Sequence, residues 1–377
     1  MRAVADDCCG GEFPAFTAII RWPETRRWVN AHPIGVAVLQ TPFFLIAHAL
    51  TKWSNLSPDG FTLYYQHAAG LAGTFWTVAG LFAMRALLRR FVTDRIAAVT
   101  LLTMLFGTNL YHYATFDSTY SHPYSFFLLA SLLFLTDRWT RADGADMRDA
   151  VLLGIVSGLI VLTRHTNVLF LLVLPLYGVT DGSTARDAML RLTGRGREVA
   201  IIAVVAMATC VPQLAVYYRA TGHVFVNSYG DLGFTFLTPH LWGVLFSVTK
   251  GVFFWSPVLL AGVAGYALRR HVTRPFALAA GIIFVIDTYL IASWWDWQFG
   301  GSYGHRGFVD LLPFFGLGLA AFFEWSAERL TRQRVVAIAT VALVGLSCVQ
   351  MLQYWNGVIP VSDMTWAQYR SVFLRLR

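Results

Sequence analysis

Ten runs of apolar residues fill most of this 377-residue chain, at roughly 67–87, 96–113, 121–136, 150–163, 166–180, 199–219, 252–268, 275–294, 308–324 and 335–353. Most approach the length of about 20 residues that a helix needs to cross a bilayer. Only 13% of the residues are charged, against about 25% in an average soluble domain. With 56% of positions apolar, too little charge is left to cover a water-facing surface, so the composition argues against a water-soluble fold and for a polytopic membrane protein. In lipid the backbone must satisfy its own hydrogen bonds, and no strand-like alternation is present, so the spanning form is helix. The expected fold class is all-α, a bundle of about ten spanning helices. The runs at 150–163 and 166–180 are short for a straight span and are expected to be buried in the bundle or to extend into loops.

Loop charge orients the bundle. The net charge of +8 sits in alternate loops: Arg89, Arg90 and Arg95; Arg138, Arg141 and Arg148; Arg186, Arg191, Arg195 and Arg197; Arg269, Arg270 and Arg274; Arg329, Arg332 and Arg334. Such loops are expected to be cytoplasmic, because basic residues resist translocation. This placement also removes nucleic acid as a partner. The other loops, 114–120, Arg164 with His165, 220–251 and 295–307, are rich in Trp, Tyr, His and Gly and are expected to face outward. The segment 33–50 is apolar but carries Pro33 and Pro42, and its residues are compatible with a span or with an interfacial helix. No linker divides the chain, so a single domain is expected, and Cys8, Cys9, Cys210 and Cys348 form no metal-ligand spacing.

Polar residues collect in four outer stretches: Phe116–Tyr124, Thr163–His165, Ser247–Pro257 and Trp294–Gly307. Outer loops of one bundle share a surface, so a single site can draw on all four. Arg164, Lys250 and Arg306 break the positive-inside bias, and an anion such as a phosphate at the lipid interface accounts for them. The plain alternative is a snorkelling anchor or a pair with a nearby carboxylate. Trp294, Trp295, Trp297 and Tyr303 suit a membrane interface whatever the function, and they equally offer flat faces to a sugar, with Asp296, Gln298 and His305 interleaved. Gly154 and Gly158 are assigned to helix packing. Asp287, inside an apolar run, is read as a satisfied polar group of the bundle rather than part of the pocket.

The chain resembles the C-type, lipid-phosphate-dependent integral membrane glycosyltransferases, the broad group that includes protein O-mannosyltransferases and the lipid A aminoarabinose transferase. The matching stretches are NAHPIGVAVLQTPFF (30–44), YATFDSTYSHPYSFFLL (113–129), GLIVLTRHTNVLFLL (158–172), VTKGVFFWSPVLL (248–260) and WWDWQFGGSYGHRGFVDLLPF (294–314). Each is loose, and the specificity lies in their order and spacing. The resemblance implies an interfacial helix at 33–50 and an outer-face amino-terminal segment at 1–32. It further implies inverting transfer of a sugar from a polyprenyl-phosphate donor to a lipid, glycan or protein acceptor, with an acidic residue as base and cations on the departing phosphate.

The family's acidic pair would fall near Asp6 and Asp7, which makes Asp7 the expected base, with Asp117 as the alternative. The expected phosphate and donor contacts are Arg164, His165, Lys250 and Arg306, and the expected sugar or acceptor contacts are His122, Tyr120, Trp297, Tyr303 and His305. No soluble cofactor is implied, and a divalent cation is left open. Members begin with a spanning helix before the acidic loop, and only five residues precede Asp6, so the expectation is either a truncated or misassigned start or a member that lacks the family's first helix. No signal peptide or eukaryotic retention signal is seen, which is compatible with a bacterial inner membrane. Two other readings compete: a transporter or flippase for a lipid-linked or anionic solute, and a non-catalytic relative that scaffolds an envelope assembly.

Overall fold

The computed structural model describes residues 19–30, 32–142, 146–227, 232–268 and 270–377. Its elements follow the apolar runs. A short antiparallel hairpin, β1 (Ile19–Arg21) and β2 (Trp28–Asn30), comes first and is the only sheet among the described residues. The helices follow as α1 (Gly35–Trp53), α2 (Leu63–Leu88), α3 (Asp94–Phe106), α4 (Leu110–Thr115), α5 (Ser121–Arg141) and α6 (Met147–Thr163). A 3-10 stretch, His165–Leu172, leads into α7 (Val173–Leu176), α8 (Gly182–Gly194), α9 (Gly196–Thr221), α10 (Leu241–Phe246), α11 (Val252–Trp255), α12 (Leu259–Leu268), α13 (Arg270–Thr273) and α14 (Ala277–Ser293). A second 3-10 stretch, Arg306–Leu311, runs into α15 (Leu312–Ala327), and α16 (Leu330–Trp355) and α17 (Trp366–Val372) complete the chain.

Every apolar run contains helix, but only α2, α9, Arg306–Ala327 and α16 are long and apolar enough to cross a membrane among the described residues. The structure is thus mostly helical, as expected, and a bundle of about ten spans is not shown by these lengths. The run at 96–113 breaks into α3 and α4 around Gly107, and the run at 252–268 breaks at Ser256, just before Pro257, whose nitrogen has no proton to donate. The run at 166–180 becomes 3-10, which rises about 2.0 Å per residue and so covers more depth than its residue count suggests. Pro42, in contrast, does not interrupt its segment: α1 passes through it as one helix, burying Gly35, Leu39, Ala47 and Thr51 on one face.

Burial ranks these helices from centre to rim. The most apolar window of Arg306–Ala327 is 89% buried, whereas that of α9 is 6% buried. Val204, Met207, Val211 and Val216 of α9 are exposed, an apolar face that water would penalise. Small residues set the closest approaches. A side chain at Gly154 or Gly158 of α6 would collide with Val205 or Thr209 of α9, and Gly265 of α12 lies against the Gly318 carbonyl of α15. The hairpin caps the end of α9: Thr25 donates to the Ala220 carbonyl and Arg27 to the Arg219 carbonyl, two of the groups a helix C-terminus leaves without partners.

The arginine-rich end is knit by acids. Asp137, fully buried, pairs with Arg141 at 2.8 Å and Arg90 at 2.5 Å and accepts the Tyr177 hydroxyl. Arg138 forks onto Asp149, and Glu198 accepts the Trp139 indole at 2.7 Å. His122 stands at the other end of α5, 15 residues or about 23 Å from Asp137. The candidate site gathers there.

Candidate functional site

Four local structures bring the polar stretches together. The α5 helix starts at Ser121, and Pro123 is accommodated in its first turn, where no intrahelical donor is lost, so His122 is held at the helix mouth. The α6 helix stops at Arg164, whose extended backbone (φ −152°) frees the side chain to leave the helix. Its Nη1 donates to Asp310 Oδ2 at 2.8 Å and lies 3.3 Å from His122 Nδ1. Asp310, on the second 3-10 stretch, also accepts from Asn167 Nδ2 at 3.1 Å. Arg164 is thus paired with a carboxylate, as the plain alternative for an isolated cation holds.

Arg306 opens the same 3-10 stretch and is half-buried. Its guanidinium lies over the exposed Tyr120 ring at 4.7 Å and over Phe299 at 5.9 Å, and it makes no ion pair among the described residues. Arg164 lies over the same Phe299 ring at 6.0 Å. Phe299 has φ +58°, a conformation that costs a non-glycine residue energy and marks constrained sites. Two guanidiniums therefore share one aromatic ring while a single buried carboxylate offsets one of them. With no ion pair of its own among the described residues, the Arg306 guanidinium is left available to an anion. After the effect of burial, the same Arg306 charge holds the His32 imidazole below its ordinary value.

Asp117 lies on the turn before Tyr120, whose amide donates to the Asp117 carbonyl at 3.2 Å and whose ring Arg306 covers. The amides of Phe116 and Asp117 both donate to the His112 carbonyl, at 2.9 Å and 3.1 Å, and this turn folds Asp117 back over the last turn of α4. Asp117 Oδ2 then meets His112 Nε2 at 2.8 Å. The Asp117 side chain is 25% exposed.

Several expected contacts lie beneath this surface instead. Lys250, expected on phosphate, is 2% exposed; its ammonium donates to the Ser302 carbonyl, to Ser302 Oγ at 3.0 Å and to the Val361 carbonyl at 2.8 Å. Its three protons knot the 294–305 loop to the segment after α16. His305 and Tyr303, expected on sugar, are buried: His305 Nε2 donates to the Trp297 carbonyl at 2.9 Å, and the Tyr303 hydroxyl donates to the Ser347 carbonyl. Burial holds His305 down at about 3, so it is neutral. Trp297 is half-buried and stacks on His240 at 5.3 Å. His122 is buried on Asp310, at 3.6 Å. His165 is exposed, and Tyr120 faces Arg306. Asp7 lies outside the described residues. Asp287 is buried in α14.

Burial and, after it, the Arg306 charge push Lys250 down to about 7 from 10.5. Between those values the unfolded chain binds the extra proton, so this lysine makes stability rise as pH increases from about 7 toward 10.5. Thermal unfolding in detergent is expected to show that rise in the wild type and to lose it in Lys250→Met. An equal rise in both proteins would assign the effect elsewhere.

Residues that the sequence did not single out complete the arrangement: Asp310 on Arg164, His112 on Asp117, and Phe299 under both guanidiniums. No group of three or more His, Cys, Asp or Glu side chains among the described residues is placed to hold a metal ion. Set against family models, curated proteins and solved structures, the chain matches none of them.

Proposed function

We propose that this is a multi-pass membrane glycosyltransferase that moves a sugar from a polyprenyl-phosphate donor to an envelope acceptor at the outer face of a bacterial inner membrane, with inversion. The observation that carries this reading is the pair of guanidiniums over Phe299, one without a carboxylate partner among the described residues, with the partly exposed Asp117 on the same turn as Tyr120, whose ring Arg306 covers. A lipid phosphate supplies the anion for the first and a sugar acceptor the proton for the second.

The chemistry needs little more. Asp117 takes the proton of the acceptor hydroxyl as its oxygen attacks the anomeric carbon, while the bond from that carbon to the phosphate oxygen breaks on the opposite face. The electron pair leaves with the polyprenyl phosphate, and Arg306 offsets the charge developing there. Arg164 holds Asp310 and adds a second positive potential. Tyr120 and the exposed face around it receive the sugar ring. Asp7 is the alternative base. The exposed apolar faces of α2, α9 and α16 face lipid, and the Asp137 cluster lies on the cytoplasmic side.

The test is transfer of label from a set of polyprenyl-phosphate sugars by membranes carrying the full chain. Arg306→Met is expected to raise the KM for the donor roughly ten- to a hundredfold, the range for losing one charged hydrogen bond, with the protein still folded. Absence of transfer from every donor, or an unchanged donor KM in Arg306→Met, would overturn the proposal.

A further inference from the structure

His112 is fully buried and is oriented on both of its ring nitrogens. The Trp355 indole donates to His112 Nδ1 at 2.8 Å. An indole N–H can only donate, so Nδ1 carries the lone pair and the ring proton sits on Nε2, which meets Asp117 Oδ2 at 2.8 Å. The ring plane is held as well. Tyr113 and Tyr354 meet it edge to face at 4.7 Å and 5.3 Å, and Phe116, stacked on Trp355 at 5.5 Å, lies nearly parallel to it. Asp117 Oδ1 makes no hydrogen bond among the described residues, and the side chain reaches the surface.

We propose that His112 is the positioning residue of Asp117, fixed in its Nε2-protonated form by Trp355, so that the carboxylate presents Oδ1 to the acceptor hydroxyl. This rests on the glycosyltransferase reading, which makes Asp117 a base. The arrangement joins α4 to the end of α16, so the last long helix contributes to the acid's geometry without touching substrate. No proton passes through the imidazole: Nε2–H donates to Oδ2 throughout, and Oδ1 takes the proton of the acceptor.

The test uses the full chain in membranes, a polyprenyl-phosphate sugar as donor, and four variants. His112→Phe keeps a ring but loses both nitrogens, and it is expected to lower kcat roughly ten- to a hundredfold while the acceptor KM stays within about twofold. His112→Gln, whose amide supplies a donor in place of Nε2–H, is expected to recover most of that loss. In an Asp117→Asn background, His112→Phe is expected to cost less than about twofold more, because the two residues act as a unit. Losses that multiply, or a His112→Gln protein no better than His112→Phe, would overturn the proposal.

If the wild type moves no label, the glycosyltransferase reading fails, and the imidazole 15N spectrum decides the positioning claim alone. The resonance that vanishes in His112→Gln is expected to show a proton on Nε2 and to move in Asp117→Asn. A proton on Nδ1, or a resonance indifferent to Asp117→Asn, would overturn the claim.

Discussion

Replacing Arg164 by Met is expected to destabilise the protein by about 3–5 kcal/mol, the range for removing one partner of a buried ion pair. The cost comes from what is left behind. Asp310 is 2% exposed, and its Oδ2 depends on Arg164 at 2.8 Å and Asn167 at 3.1 Å. Its Oδ1 has no hydrogen bond among the described residues and faces His122 Nδ1 at 3.6 Å. Without the guanidinium, a carboxylate would remain in a dry interior with one amide donor. Asp310→Asn in the Arg164→Met background removes that charge and is expected to recover much of the loss. Thermal unfolding of the three proteins in one detergent measures both steps. Equal stability of wild type and Arg164→Met would mean that the pair contributes nothing and that Arg164 serves a ligand alone.

The same pair shows how far the sequence could be read. Helix positions follow from the apolar runs, because burying a polar backbone in lipid leaves few other options. The convergence of the outer stretches follows from alternation of loops. The partners inside the site do not. Arg164 and Asp310 are 146 residues apart, and the aspartate sits in an apolar run where a span was expected, so neither spacing nor periodicity links them.

Other misses have their own physical causes. His112 meets Trp355 across 243 residues, and no pattern connects an imidazole in one helix with an indole at the end of another. Lys250 was legible as a cation out of place, but not as a buried one. Its burial depends on the stretch after α16, where Ile359 and Met364 pack into a small second core with Tyr303 and Trp255. Phe299, followed by two glycines, reads as the edge of a turn, and its positive φ emerges only once the loop closes under the two arginines. Folding thus takes two of the three expected cations into internal pairs and bonds and leaves Arg306 without one among the described residues.

On the proposed glycosyltransferase reading, Asp117 is the position most sensitive for chemistry. Asp117→Asn is expected to lower kcat by about 10²–10⁴, the contribution of a positioned general base, while leaving thermal stability near that of the wild type. The stability expectation follows from exposure and bonding. Asp117 is 25% exposed, and an asparagine Oδ1 can still accept the Nε2 proton of His112, so no buried group loses its partner. Arg306 stays on Tyr120 and Phe299, so the donor KM is expected to change little. The carboxylate-to-amide change then isolates proton removal from binding. On that reading Arg164→Met is expected to fail by unfolding, Arg306→Met by weaker donor binding and Asp117→Asn by slower turnover alone. If Asp117→Asn turned over like the wild type, the base would have to lie elsewhere, and the same substitution at Asp7 would become the deciding measurement.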